Sequence, residues 1–473
     1  MKIIKYSVLV MLALFIVSSC TRENYLDFEP KGLVIPNNLI DYRLLLDNIS
    51  EPIFIENIVP LTVGFGEKHG RNVFMSDNLT LDEDVITILG LSRIDRNTYL
   101  FAENSFTNQE NDRDWDNYYN QIYAANVIID GLSRVEDGTA EEIAELVGEA
   151  KLHRAYAYFN LVNLYGLHYN PASAGTDLGV PIRKGIELEN VDLTRASVQE
   201  VYDFVIADIT ESIDALPDVQ ALNKRFRPSK AAAFGLLSKV YLYQARYDEA
   251  LEASNGVLGL SGIIRDINDD EFNSSGTVRL LPSIQGDLEI IWFKNRSNSL
   301  FASDELIDLY AIGDLRMEWF TTVSDFFGID SNQFILAFDF GPNNQADGIQ
   351  STDMYLIRAE CNARLGNLDA ANADLNALRI NRFDSFAFEP LNITDQATLI
   401  QFVKDERRRE KVRSLDRTFD IKRYNLFDND QITVSHTLDG ITTTLLPNSK
   451  NWAMPIAPRY ILFNPEIEQN PRD

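Results

Sequence analysis

Residues 231–260 read AAAFGLLSKVYLYQARYDEALEASNGVLGL, and this stretch decides the fold class. Phe234, Leu237, Ser238, Tyr241, Ala245, Tyr247, Ala250 and Val257 follow the order of a tetratricopeptide (TPR) unit: large aromatic, Leu, small, aromatic, turn, aromatic, Ala, small. Two antiparallel helices approach closely only where small side chains, here Ser238 and Ala250, face bulky ones. The spacing recurs at Tyr355, Ala359, Asn362, Gly366, Ala371 and Leu378, and its first-helix half recurs at Tyr158, Leu161, Val162 and Tyr165. These units are far apart in the chain, so a continuous solenoid is not expected. The expectation is one large, mostly α domain over residues 20–473, with TPR-like helices at about 114–258 and 351–413. Loop-rich, partly β insertions fall at about 52–111 and 259–349, and insertions on repeat scaffolds tend to line one face.

Working outward, Leu39, Tyr42, Leu45 and Leu46 give a helix near Asn38–Asn48 its apolar face. Trp115, Tyr118, Ile122 and Ile128 recur at helical spacing, and a second helix is expected over Glu141–Tyr165. Ser197 with Glu200 three residues on reads as a capping box. Leu288–Phe293 reads as a strand and Asp304–Leu309 as a short helix. Ile432–Leu446 alternates like a hairpin that turns at Asp439-Gly440.

The N-terminus carries Lys2 and Lys5, then an apolar run from Val8 to Val17, then Ser18, Ser19 and Cys20. That order is a secretory leader over residues 1–19, and Val17-Ser18-Ser19-Cys20 has the form of a bacterial lipobox. Cys20 is therefore the expected lipidation site, and two or more acyl chains make a stable tether. Once Cys20 is acylated, Cys361 has no disulfide partner. The net charge of −28 argues against nucleic acid and polyanionic partners and suits neutral or cationic ligands.

Four stretches together resemble the SusD/RagB family of Bacteroidota outer-membrane lipoproteins. They are Trp115–Leu132 (WDNYYNQIYAANVIIDGL), Glu149–Pro181 with its Arg-Ala-aromatic helix and Tyr-Gly turn, Arg195–Leu258, and the tail Trp452–Pro471 (WAMPIAPRYILFNPEIEQNP). One departure is Asp405–Val412 (DERRREKV), which keeps Glu406, Arg407 and Glu410 of the family's polar motif but not its hydrophobic middle. The resemblance implies a lipid-anchored protein on the outer membrane, facing the cell exterior. It further implies that the protein sits over a TonB-dependent SusC-like transporter, to which it passes captured oligosaccharides, or peptides in the RagB branch. A cell-surface TPR scaffold that holds proteins rather than nutrients is the alternative from another class.

The family's ligand surface lies in loops, which here correspond to Phe65–Phe101 and Trp292–Phe327. The first offers Phe65, His69, Arg71, Asn72, Asp77, Asn78 and Tyr99; the second offers Trp292, Asn295, Arg296, Trp319, Phe326 and Phe327. Tyr99 and Trp319 are the leading candidates for ring stacking on a sugar, with Trp292, Phe65, Asn295, Arg296, Arg71 and Asn72 beside them. Arg154 and the Glu406–Arg409 run read as salt-bridged packing residues. Asp266–Glu271 is rich in the oxygens calcium uses, but it lacks the Gly and spacing of an EF-hand loop, so neither metal nor cofactor is expected. The four histidines, His69, His153, His168 and His436, are scattered, and no nucleophile elbow or Walker loop is present, so the expectation is a binding protein and not an enzyme.

Overall fold

A computed structural model describes residues 36–49, 64–68, 70–81, 86, 90–282, 286–296, 301–337 and 346–473. The leader, Cys20 and His69 lie outside the described residues.

Helix α1 (Leu39–Leu46) leads into the first insertion, which holds β1 (Glu67–Lys68), a 3-10 turn at Arg71–Met75 and α2 (Arg93–Tyr99). The α2 helix is a finding, because the polar pattern there gave few helical periods. Its start is closed by Ser92, whose hydroxyl accepts from Asp95 N.

The scaffold begins with α3 (Arg113–Leu132), α4 (Ala140–Tyr165) and α5 (Val198–Ser212). Capping boxes close the N-termini of α4, through Thr139 and Glu142, and of α5, through Ser197 and Glu200. α4 is buried on nearly every face from Leu152 to Tyr165 because α3 and α5 pack on opposite sides of it.

The first TPR pair is α6 (Lys230–Tyr243) and α7 (Tyr247–Leu260); the second is α8 (Ser351–Arg364) and α9 (Leu368–Arg379). α8 packs directly on α7, although the second insertion separates them in the chain. The two pairs turn at matching positions, Ala245 at φ 57° and Gly366 at φ 85°. Only glycine takes this left-handed geometry without Cβ strain. Helices α10 (Gln396–Glu410) and α11 (Arg417–Phe427) follow, so the helical scaffold extends beyond the expected limit of 413.

The second insertion supplies β2 (Ile290–Arg296), β3 (Phe301–Ala302), β4 (Phe320–Thr322), β5 (Phe334–Leu336) and β6 (Ala346–Gln350). The strand expected at 288–293 thus starts and ends later. The short helix there spans Asp304–Ile307. One sheet runs β1-β2-β6, with β1 parallel and β6 antiparallel to β2; the other runs β3-β5-β4. Gly235 in α6 lets Ile349 of β6 sit directly on the helix, since a Cβ there would overlap its side chain. The hairpin is β7 (Val434–Leu438) and β8 (Ile441–Leu445), and Asp439 and Gly440 take positive φ of 52° and 74°.

The two insertions form one body. Thr80 N donates to Phe301 O at 3.0 Å, Ser303 N donates to Asn78 O at 2.9 Å, and Leu79 bridges Ala302. A shared apolar core joins Val73, Phe74 and Tyr99 from the first to Leu306, Trp319 and Ile335 from the second. Residues more than two hundred positions apart therefore make a single module on the helical scaffold.

Buried charges clamp that module in place. Arg316 pairs with Asp314 (2.7 Å), Glu406 (2.7 Å) and Glu410 (3.0 Å), and Arg382 pairs with Glu410 (2.9 Å) and Glu289 (2.7 Å). Arg407 reaches Asp353 (2.7 Å) and Asp420 (2.8 Å). Lys68 of β1 lies 2.9 Å from both Asp347 and Asp416, and Lys239 of α6 shares Asp416. The salt-bridged role expected for Glu406–Arg409 is thus met by Glu406, Arg407 and Arg409 inside the protein, and Arg154 pairs with Asp208 through two 2.8 Å bonds. Arg408 meets the same role at the module, where it pairs with Asp77 at 3.4 Å and also bonds Asn78 and the Asp77 carbonyl.

The strain at Ala245 has a measurable consequence. Ala245→Gly is expected to stabilise the protein by roughly 0.5–1 kcal/mol in urea unfolding, because the left-handed turn then costs no Cβ clash. A loss of stability would show that Ala245 is held by packing the turn geometry does not reveal.

Candidate functional site

The module's aromatic and polar side chains are spent inside it. Tyr99 is 1% exposed; its hydroxyl accepts from Leu81 N at 3.0 Å, and its ring stacks on His436 with centroids 4.0 Å apart. The ring nitrogens of His436 lie 2.7 Å from the Tyr99 carbonyl and 3.1 Å from that of Ser76, which docks the β7–β8 hairpin on the first insertion. Trp319, 3% exposed, fills the core between the two insertions. Trp292 is fully buried, donates from its indole to Phe226 O at 3.1 Å, and meets His153 and Tyr156 edge-on.

Phe65 packs on His153 with centroids 4.5 Å apart, and its carbonyl accepts from the Lys294 amine. Lys294 lies 3.1 Å from His153 Nδ1 with no carboxylate against it among the described residues, and burial holds its pKa well below the usual lysine value. A neutral amine is the form such a site favours.

The polar candidates share this fate. Arg71 is buried, pairs with Asp112 and lies over the Phe106 ring at 4.8 Å. Asn72 donates to Leu415 O at 2.7 Å. Asp77 pairs with Arg417 at 2.7 Å, and Asn78 accepts from Arg408 at 2.7 Å. Burial alone would raise the Asp77 pKa, but the guanidinia of Arg417 and Arg408 hold it below the usual carboxylate value. Asn295 is half-buried and its main-chain N donates to Gly66 O at 2.6 Å; Arg296 ends β2 opposite Lys68.

The structure therefore turns the expected contact residues inward. Tyr99 and Trp319 pack inside the module, Trp292 and Phe65 pack it against the scaffold helices, and Arg71 and Asn72 tie it to the scaffold. The physical reason is that a body of short strands and turns must bury its largest rings to hold a core at all.

Aromatic surface does remain at the turn Val323–Phe327, where Phe326 is 43% exposed and packs edge-on against Phe327 with centroids 4.9 Å apart. Asn332 stands exposed and Gln333 half-buried in the segment that leads into β5, and Gln333 N donates to the Ser331 hydroxyl at 3.3 Å. Sequence reading had placed Phe326 and Phe327 in this loop without ranking them.

The Asp266–Glu271 loop presents its oxygens to cations of the chain itself. Arg279 donates to the carbonyls of Ile267 (2.7 Å) and Asp270 (3.2 Å), and Arg265 pairs with Asp270. Among the described residues no group of three metal-ligating side chains gathers, and no helix is long and apolar enough to cross a membrane.

Comparison with known proteins accounts for this architecture. Residues 25–242 match a SusD-like family model described as starch-binding and associating with the outer membrane, and residues 349–472 match the SusD family model. The chain belongs to the SusD/RagB family. Two SusD-like proteins of Formosa agariphila, P38 and P25, are 23% and 21% identical to it. The P38 match covers 75% of this chain and 78% of that protein; the P25 match covers 88% and 90%. A SusD superfamily protein of Bacteroides thetaiotaomicron superposes with a TM-score of 0.71 at 18% identity, over 92% of this chain and all of that one. A putative sugar-binding protein of Bacteroides vulgatus gives 0.67 at 21% identity, over 93% and 99%. The mostly α SusD-like fold, with TPR-type pairs and a partly β module, is the architecture these proteins share.

Within this SusD-like module, Trp319 holds the core. Trp319→Ala is expected to lower unfolding stability by about 3–5 kcal/mol. A change under about 1 kcal/mol in denaturant titration would mean that Trp319 is not packed as described and would return it to the ligand face.

Proposed function

We propose that this SusD/RagB protein is a nutrient-binding lipoprotein, not an enzyme, that captures oligosaccharides outside the cell and passes them to a TonB-dependent outer-membrane transporter. The observation that carries this reading is the match of both ends of the chain to models of one family, the longer described as starch-binding and associating with the outer membrane. The leader over residues 1–19, with Cys20 directly after it, supports a lipid tether at Cys20 on the cell surface. The net charge of −28 suits neutral glycans better than anionic polymers.

On this reading the glycan-facing surface is the outer side of the module around Val323–Phe327. Sugar rings present flat C–H faces, and the Phe326 ring offers an apolar surface for them. A side-chain amide such as that of the exposed Asn332 can both donate to and accept from hydroxyls.

The test is calorimetric titration of the chain from Thr21 onward, which keeps every described element, against panels of oligosaccharides and peptides. Saturable oligosaccharide binding is expected, weakened at least tenfold by Phe326→Ala with the melting temperature unchanged. Binding of peptides alone would move the protein to the RagB-like branch. No binding to either panel would favour the TPR scaffold reading.

A further inference from the structure

A cavity of about 200 Å3 lies away from the module, between the turn after α4, helix α11 and the C-terminal tail. At ~30 Å3 of liquid per water it has room for about seven waters, or for one sugar-sized ring. Leu167, Leu426 and Trp452 give it apolar walls; Asn170, Ser173 and Asn448 give it hydroxyl and amide groups, and Asp177, which accepts from the Ser173 hydroxyl at 2.6 Å, gives it one carboxylate. That mixture of flat apolar surface and a few polar groups is how small-molecule sites are built.

Two buried groups that line it lack the partners such groups normally have. His168 is 6% exposed, and neither ring nitrogen makes a hydrogen bond of good geometry. Burial first, then the charges of Lys422 and Arg423, hold its pKa well below the usual histidine value, against a weak pull from the Tyr243 main chain. The neutral ring therefore has one donor and one acceptor to offer. Buried polar atoms left in this state are few in folded proteins and costly.

Lys422 is the second group. Its amine donates to Asn163 O and Gly166 O, both at 2.8 Å, and an ammonium has a third proton to give. Of the six buried lysines among the described residues, Lys68, Lys239, Lys404 and Lys411 each pair with aspartate. Lys294 closes on a carbonyl and a histidine ring inside the core. Lys422 alone of the six lines this cavity without a paired carboxylate. Burial pushes its pKa down to about 7, so an arriving carboxylate would restore its charge and complete its hydrogen bonding.

We propose that this cavity binds a small hydroxylated carboxylate, a sugar acid of about one ring, with its carboxylate at Lys422 and His168 and its apolar face toward Trp452. The hydroxyls meet Asn170, Ser173 and Asn448. The site stands on the helical scaffold and the tail, so it is independent of the glycan surface assigned to the module.

The experiment is calorimetric titration of the chain from Thr21 onward with D-galacturonate, D-galactose and L-serine as probes. Galacturonate is expected to bind saturably and at least tenfold more tightly than either of the others. Lys422→Met should weaken it at least tenfold while leaving the weak galactose response unchanged. Galacturonate no tighter than galactose, or serine tighter than galacturonate, would overturn the proposal on the unaltered protein alone, whatever the variant does. Full galacturonate affinity in a folded Lys422→Met protein would overturn it as well.

Discussion

The structure depends on charge buried where water cannot reach it. Asp416 sits between Lys68 of the first insertion and Lys239 of the first TPR pair, and Asp347 shares Lys68 from the start of β6. Glu410 of α10 joins Arg316 of the second insertion to Arg382 beyond α9. Each contact links segments that are remote in sequence. Removing one member of such a pair strands the other in a low-dielectric interior, at a cost of about 3–5 kcal/mol. Burial alone would raise these carboxylates, but the cations around them prevail. Arg382 and Arg316 hold Glu410 at about 2, and Lys411 and Arg407 hold Asp353 at about 2.

That clamp explains how a module of short strands stays ordered on a helical frame. Two-residue strands such as β1 and β3 have little stability of their own. They are held because Lys68 is fixed by Asp347 of β6 and by Asp416 of the scaffold, and because Tyr99 and Trp319 fill the core between the insertions while Trp292 packs β2 on the helices. The cost is that these rings cannot also serve a ligand. Exposed aromatic surface on the module includes Phe326 in Val323–Phe327, a segment closed by Gly328 at φ 72°. The scaffold then carries its own cavity at His168 and Lys422, built from parts of the chain that take no role in the module.

Much of the scaffold was legible in the sequence because its signals are local. The Phe234–Val257 and Tyr355–Leu378 spacings, the Ser197–Glu200 box and the Asp439-Gly440 turn each lie within one or two elements. The membership of the SusD/RagB family was legible for the same reason, through motifs of contiguous residues. The candidate site was much less legible. Whether Tyr99 or Trp319 faces water or a core depends on the pairing of the two insertions across more than two hundred residues, and no periodic pattern encodes that pairing. The charged run at 405–411 announced ion pairs but not their partners, since Arg316 and Arg382 lie in stretches without helical or strand period. His168 was one scattered histidine among four until the fold set it beside Lys422.

The claim that buried ion pairs make scaffold and module one cooperative unit is tested most directly by scanning calorimetry between pH 6 and pH 2. Carboxylates held below their unfolded values near 4 contribute stability above that pH and lose it as the pH falls through their folded values. The folded values of Glu410 and Asp353 are about 2. The account predicts a single endotherm at pH 6 whose Tm does not fall for want of these carboxylates until about pH 4, then drops steeply toward pH 2. Two separate endotherms at pH 6, or a Tm that stays level from pH 4 to pH 2, would contradict it.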